Sequence, residues 1–333
     1  MTRVLIGFDG SAAARASIVA AAALFPDAET LVATVRTSPP TLEAGALARI
    51  ALPDAVIREG IERMRAENES QAQETAAEGA AAFASAAEIE ATSLILTGLS
   101  PWRTLRDEAL ARGADVLVCG TRGEGAVDRV LLGSTASSLV HHLRLPTLVV
   151  PAGARDLTGP VLAGFDGSDG AREALRFAAT HLAARHIIVS HAWRSPVRHS
   201  VRGQTLAHSG IDTFEDFAAT MDQIWREVAE EIADDGAAFG RELGLTADPL
   251  VPESGRGEWQ ALLKAAETSR AAVLLVGIPR PRRGRVDHPR LGGIRTRACG
   301  GGARAHGRRP APLAGSRQFG IGSGHARGAV RAA

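Results

Sequence analysis

Residues 4–11 read Val4-Leu5-Ile6-Gly7-Phe8-Asp9-Gly10-Ser11, and the last five of them return as Gly164-Phe165-Asp166-Gly167-Ser168. A second pair of stretches has the same spacing of 157 residues: Ala114-Asp115-Val116-Leu117-Val118-Cys119-Gly120 and Ala271-Ala272-Val273-Leu274-Leu275-Val276-Gly277. Two matched landmarks at one spacing, so far apart, identify an internal duplication. After Gly277 the match stops. The segment Gly120 to Thr135 and the apolar run Pro146-Thr147-Leu148-Val149-Val150-Pro151 have no counterpart where the spacing demands one.

Outward from these landmarks, each copy alternates short apolar strands with longer helical stretches, the pattern of parallel strands joined by crossover helices. In the first copy the strands are expected at 3–8, 29–35, 88–96, 115–119 and 147–150. The helices are expected at 11–25, 54–84, 101–112 and 134–143, with an irregular excursion at 39–53. Ser11 and Ser100 stand where N-caps belong, and Pro101 occupies a first helical position. The second copy repeats the order through its fourth strand, ending at Gly277. Three parts are expected: a domain over 1–151, an incomplete second domain over 160–277, and a disordered Arg/Gly-rich tail over 278–333.

The tail departs in composition as well. The chain has a formal net charge of +1, but residues 1–277 carry 25 basic against 36 acidic side chains, whereas residues 278–333 carry 13 arginines against one aspartate. An acidic body offers no broad footprint for nucleic acid; the tail would attract polyanions if it is a genuine exposed segment. The two cysteines, Cys119 and Cys299, make no disulfide framework and no metal-ligand spacing. No run reaches the roughly 18 apolar residues of a membrane span. A cytoplasmic protein with no membrane partner is expected.

Chemistry concentrates where the fourth strand of the first copy ends. Gly120, Gly123 and Gly133-Ser134-Thr135 spell Gly-x2-Gly-x9-Gly-Ser between a strand and a helix start. Glycines there let backbone amides approach a ligand, and a helix start offers free amides and a favourable dipole to an anion, so phosphate is the expected guest. Open parallel sheets bind ligands at this edge. Asp9 ends the first strand on the same edge, where its carboxylate can accept from ribose hydroxyls or an adenine amine. Neither a Walker-type loop nor a Gly-x-Gly-x-x-Gly turn is present. His141, His142 and the acidic groups at 230–235 complete no catalytic or metal set.

The signature Val4 to Ser11, the Gly120/Gly123/Gly133-Ser134 spacing with Thr121-Arg122 inside it, and the closing Leu145-Pro146-Thr147-Leu148-Val149-Val150-Pro151 together resemble the universal stress proteins. The likeness is to tandem members of the adenine-nucleotide-binding type and covers 1–151 and most of 160–277. It implies an α/β fold of two tandem open parallel five-stranded sheets with helices on both faces, adenine-nucleotide alpha hydrolase-like, the second truncated here. It implies a pseudo-symmetric pairing of the two domains, or a homodimer. It also implies ATP, with Mg2+ as an accompanying ion, held in domain one. Carried onto this chain, Asp9 meets ribose or adenine, Val35 lies against the base, and Gly120, Gly123, Gly133, Ser134 and Thr135 hold the phosphates. Arg122 and Arg129 add charge within the loop. A stress-response regulator or sensor without efficient catalysis is the leading expectation. The alternatives are a slow ATP-hydrolysing or nucleotide-transferring enzyme, and an interaction module that binds no nucleotide.

The second copy serves as a control. The spacing carries Gly123, Gly133 and Ser134 onto Arg280, Arg290 and Leu291, and the strand 146–151 onto 303–308. Motif and apolar strand vanish at one point, which gradual divergence would not do. We expect residues from about 278 onward to be translated out of frame, in preference to a genuine Arg/Gly-rich RNA-binding tail, which would interleave more aromatics than Phe319. Reading the gene in its other two frames beyond the Gly277 codon checks this. One frame should yield a Gly-x2-Gly-x9-Gly-Ser-like segment followed by an apolar strand; absence from both disproves it.

Overall fold

The chain was analysed as a computed structural model that describes residues 1–36, 54–121, 132–154, 157–195, 211–255, 257–278 and 328–332. The excursion expected at 39–53 therefore lies outside the described residues, as do 279–327.

The first half runs β1 (Arg3–Gly7), α1 (Ala12–Leu24), β2 (Glu29–Arg36), α2 (Asp54–Ala87), β3 (Thr92–Thr97), α3 (Pro101–Ala111), β4 (Val116–Gly120), α4 (Ser134–His142) and β5 (Thr147–Val150). The second runs β6 (Val161–Gly164), α5 (Asp169–His181), β7 (Ile187–Ser190), α6 (Ile211–Glu242), β8 (Ala247–Leu250), α7 (Glu258–Thr268) and β9 (Val273–Gly277), and β10 (Gly328–Ala332) follows. Strand order is β3-β2-β1-β4-β5-β10-β9-β6-β7-β8. Each half is a parallel α/β array, as the alternation of elements requires. The two arrays meet edge to edge through the antiparallel pair of β5 and β10.

The fifth place of the second half, which the sequence leaves unassigned, is taken by Gly328–Ala332. It pairs parallel with β9, from Gly328 opposite Val273 to Ala332 opposite Gly277, and antiparallel with β5. No apolar run marks it. Backbone pairing between two open edges uses N–H and C=O groups that every non-proline residue carries, so a strand of this kind leaves no apolar signature. With it in place the edge of β9 is paired.

Alternation along the strands assigns the faces. Val4, Ile6 and Phe8 enter one core with Ile18 of α1 and Phe83 of α2, and this core continues through Val161, Phe165, Leu175 and Val189 of the second half. Leu5, Leu117 and Cys119 face the other way, against Leu105 of α3 and Leu139 of α4.

Close contacts recur at the 157-residue spacing. A methyl group on Gly79 of α2 would stand 2.8 Å from Phe8 and from Val32, and one on Gly236 of α6 would stand 2.6 Å from Phe165 and 2.8 Å from Val189. In both halves a helix backbone is laid directly on an aromatic ring at the end of the first strand. Ser11 and Ser168 cap α1 and α5, accepting from the amides of Ala14 and Ala171.

Away from the sheet the halves are tied by the end of α5 and the residues that follow it. The Arg185 guanidinium donates to the carbonyls of Leu157 and Gly159 in the connection and of Ala23 in α1. His181 Nδ1 lies 3.0 Å from the Thr2 hydroxyl. Burial pushes the His181 imidazole below its usual pKa; Asp115 opposes that shift and the N-terminal ammonium adds to it.

Two outcomes follow. Gly60 has open space around it, so Gly60→Ala should stabilise α2 by about 0.5–1 kcal/mol through helix propensity. Gly79→Ala, in the same helix, should cost about 1–3 kcal/mol through overpacking; denaturant titration of both variants reads the opposite signs. For His181, the lowered folded pKa means that its contribution is whole above the ordinary value of 6.5 and is lost as pH falls below it. The melting midpoint should be flat between about pH 8 and 7 and fall by a few degrees toward pH 5.5, with the fall reduced in His181→Gln.

Candidate functional site

At the end of β1, the Phe8 amide donates to the Ala33 carbonyl at 2.9 Å, carrying the ladder past Gly7. The chain then turns sharply at Gly10, whose φ of +79° suits glycine. The exposed Asp9 carboxylate accepts from the Ser11 amide at 3.1 Å, which fixes the turn as the Ser11 hydroxyl caps α1.

Strand register places the other groups. Gly7 sits opposite Ala33 on one side and Cys119 on the other. Two residues further along each strand, Asp9, Val35 and Thr121 come level at the carboxyl edge. Val35 is half-buried at the margin of the core cluster of Leu31, Ala33 and Leu105, so part of its surface is committed to the core.

Gly120 has a packing role that spacing alone does not reveal. A methyl group there would stand 2.7 Å from Ala13 Cβ and 3.0 Å from the Ala14 amide. The end of β4 therefore touches the first turn of α1, and the two segments that frame the edge lock against each other. Gly277 and Gly170 repeat the contact in the second half, where a methyl group on Gly277 would run into the Gly170 backbone.

The loop that leaves β4 is closed at its base. The Thr121 amide donates to Val150 at 2.8 Å, and the Gly133 amide donates to the Thr121 carbonyl at 2.6 Å. The amide of Gly133 is thus already used, and the amides of the helix's first turn come one step on. Gly133 is the N-cap of α4, with φ −59° and ψ 161°. Ser134, Thr135 and Ala136 form the first turn, whose amides have no partner within the helix. No acidic side chain lies in that turn, so the turn itself leaves the positive end of the helix available to an anion.

The structure thus gathers Asp9, Val35, Gly120, Gly133, Ser134 and Thr135 at one edge, while Arg122, Gly123 and Arg129 lie outside the described residues. Sequence reasoning missed Ala13 and Thr121. The small residue opposite each terminal strand glycine, Ala13 in one copy and Gly170 in the other, is the signal that could have found the first. Beside the edge, burial and then the Asp9 charge push the Cys119 thiol up to about 12. It is no nucleophile at neutral pH. Among the described residues no group of three His, Cys, Asp or Glu side chains could hold a metal ion, and no helix is long and apolar enough to cross a membrane.

Gly120→Ala should lower stability by about 1–3 kcal/mol in the absence of any ligand. A full-strength denaturation midpoint in that variant would show that β4 and α1 are not in contact.

Residues 1–151 match the model of the universal stress protein family. A universal stress protein of Mycolicibacterium smegmatis is 37% identical over 108 residues, covering 29% of this chain and 37% of the relative. One of Mycobacterium tuberculosis is 38% identical over 89 residues, covering 25% of this chain and 28% of the relative. The chain thus spans well under half the length of either. A solved universal stress protein from Archaeoglobus fulgidus shares the fold over 82% of this chain and 86% of its own, with a TM-score of 0.51 at 19% identity. Residues 1–151 are thus similar to the universal stress proteins, and most of the chain shares the fold of the Archaeoglobus fulgidus structure.

Proposed function

We propose that the first half binds ATP at the carboxyl edge of β1 and β4, as a ligand read by other proteins in a stress response and without efficient turnover. One observation carries this reading: the bond from Gly133 to Thr121 brings the N-terminus of α4, whose first turn has no acidic side chain, to the end of β4, level with the Asp9 carboxylate. Phosphates suit the α4 amides and the hydroxyls of Ser134 and Thr135, with Mg2+ riding on the phosphates. Asp9 suits the ribose or the adenine amine, and the exposed part of Val35 the base. Gly133 contributes close approach, since its own amide is engaged. Gly123, Arg122 and Arg129 belong to the same proposal through their place in the loop.

The second half is proposed as a second domain of the same kind that does not take nucleotide. At the 157-residue spacing it carries Arg280, Arg290 and Leu291 in place of Gly123, Gly133 and Ser134. The contacts repeated at 157 residues support a tandem protein whose halves pair through β5 and β10 in pseudo-symmetric fashion. A cytoplasmic location fits the same reading.

Calorimetric titration with ATP and Mg2+ tests it. Wild type should bind one equivalent. Gly123→Val and Gly133→Val should each weaken binding at least tenfold, with unchanged melting in the absence of nucleotide; φ at Gly133 suits any residue. Equal binding by all three proteins would remove the site. Steady ATP consumption abolished by either substitution would make the protein an enzyme instead.

A further inference from the structure

The long helix α6 spans 32 residues, about 48 Å at 1.5 Å per residue. Gly236 lies against Phe165 and Val189, level with the carboxyl ends of β6 and β7. The helix follows β7 and descends to β8, so its N-terminal part, which reaches Trp193 at Arg226, runs out past the carboxyl edge of the sheet. One side of this projection is anchored: Ala218, Ala229 and Ala233 are buried, and the Arg226 guanidinium sits 5.4 Å from the centre of the Trp193 ring.

Its flank is not. Phe217, Ile224 and Val228 are 55%, 47% and 43% exposed, with half-buried Met221 between them. These four occupy i, i+4, i+7 and i+11, the spacing of a helix-pairing seam. The fold does not demand them. At the matching positions of α2 the first half carries Gly60, Met64, Glu67 and Gln71, so the same helix in the same place is stable with a largely polar flank. A row of large apolar side chains kept in water in one copy alone points to a surface that is covered in use.

Charge selects what covers it. Glu231 and Asp235 continue the row beyond Val228, and Glu227 adjoins it. Between 217 and 235 there are six acidic residues and one basic, and that one, Arg226, is engaged on Trp193. A second copy of this chain would oppose the same acidic row to itself. We propose that the projecting half of α6 docks a basic amphipathic helix of a partner protein, whose apolar side chains meet the Phe217–Val228 row while its Arg or Lys residues meet Glu227, Glu231 and Asp235.

The test uses the full chain and three synthetic peptides: an Arg-flanked helix with leucines at alternating three- and four-residue spacing, a scramble of identical composition, and the same helix with Glu replacing Arg. Fluorescence anisotropy should detect binding of the first alone, weakened several-fold by raising salt from about 50 to 500 mM. Phe217→Ser combined with Ile224→Ser should weaken it at least tenfold, and both sites are exposed, so the melting midpoint should be kept. Binding of the scramble, or undiminished binding by the double variant, overturns the proposal. So does failure of every peptide to bind. A concentration-dependent dimer abolished by the same substitutions, without peptide binding, assigns the row to a second copy and overturns it equally. ATP titration is independent of all these readings, so the loss of either proposal leaves the other standing.

Discussion

The contact between the end of β4 and the first turn of α1 constrains the rest. Gly120 and Ala13 are both small, and the strand backbone reaches the helix backbone with no room for another methyl group. Because α1 is held there, the turn at Asp9 and Gly10 has little freedom and the Ser11 cap is set in place. Because β4 is held there, Thr121 stands where it accepts from Gly133, and α4 starts at the same edge. A single steric condition thus places a carboxylate and a helix N-terminus together, and Gly277 with Gly170 meets the same condition in the second half.

Most of the first half was legible in advance because its signals are local. Apolar runs bounded by Gly, Asp and Ser marked β1 and β4, and Ser100 with Pro101 marked α3. Boundaries drifted where composition is uniform: α2 runs on through Ala87 and β3 starts later, at Thr92, since Ala and Glu give a helix no reason to stop. The strand β10 was illegible, because its pairing is made by backbone alone and its partner edges lie far away in sequence.

The candidate site was half legible. Glycine spacing pointed to the edge where β4 ends and α4 starts, but it did not report what holds Gly120 and Gly133 there. One is a packing position and the other an N-cap whose amide is spent. What a glycine does depends on what approaches its Cα, and spacing does not report that. The neighbouring Cys119 shows the converse: it ends an apolar run, and it is buried as such a run leads one to expect.

The antiparallel meeting of β5 and β10 has a geometric outcome. Strands within each half run parallel, so reversing direction at the seam turns the carboxyl edge of one half away from that of the other. The molecule has two poles. The Asp9 and α4 edge crowns one, and the projecting start of α6 rises from the other, with a continuous ten-stranded sheet between them. Bodies bound at the two poles would not touch, and any influence of one on the other would have to be carried through the sheet itself, like load along a beam.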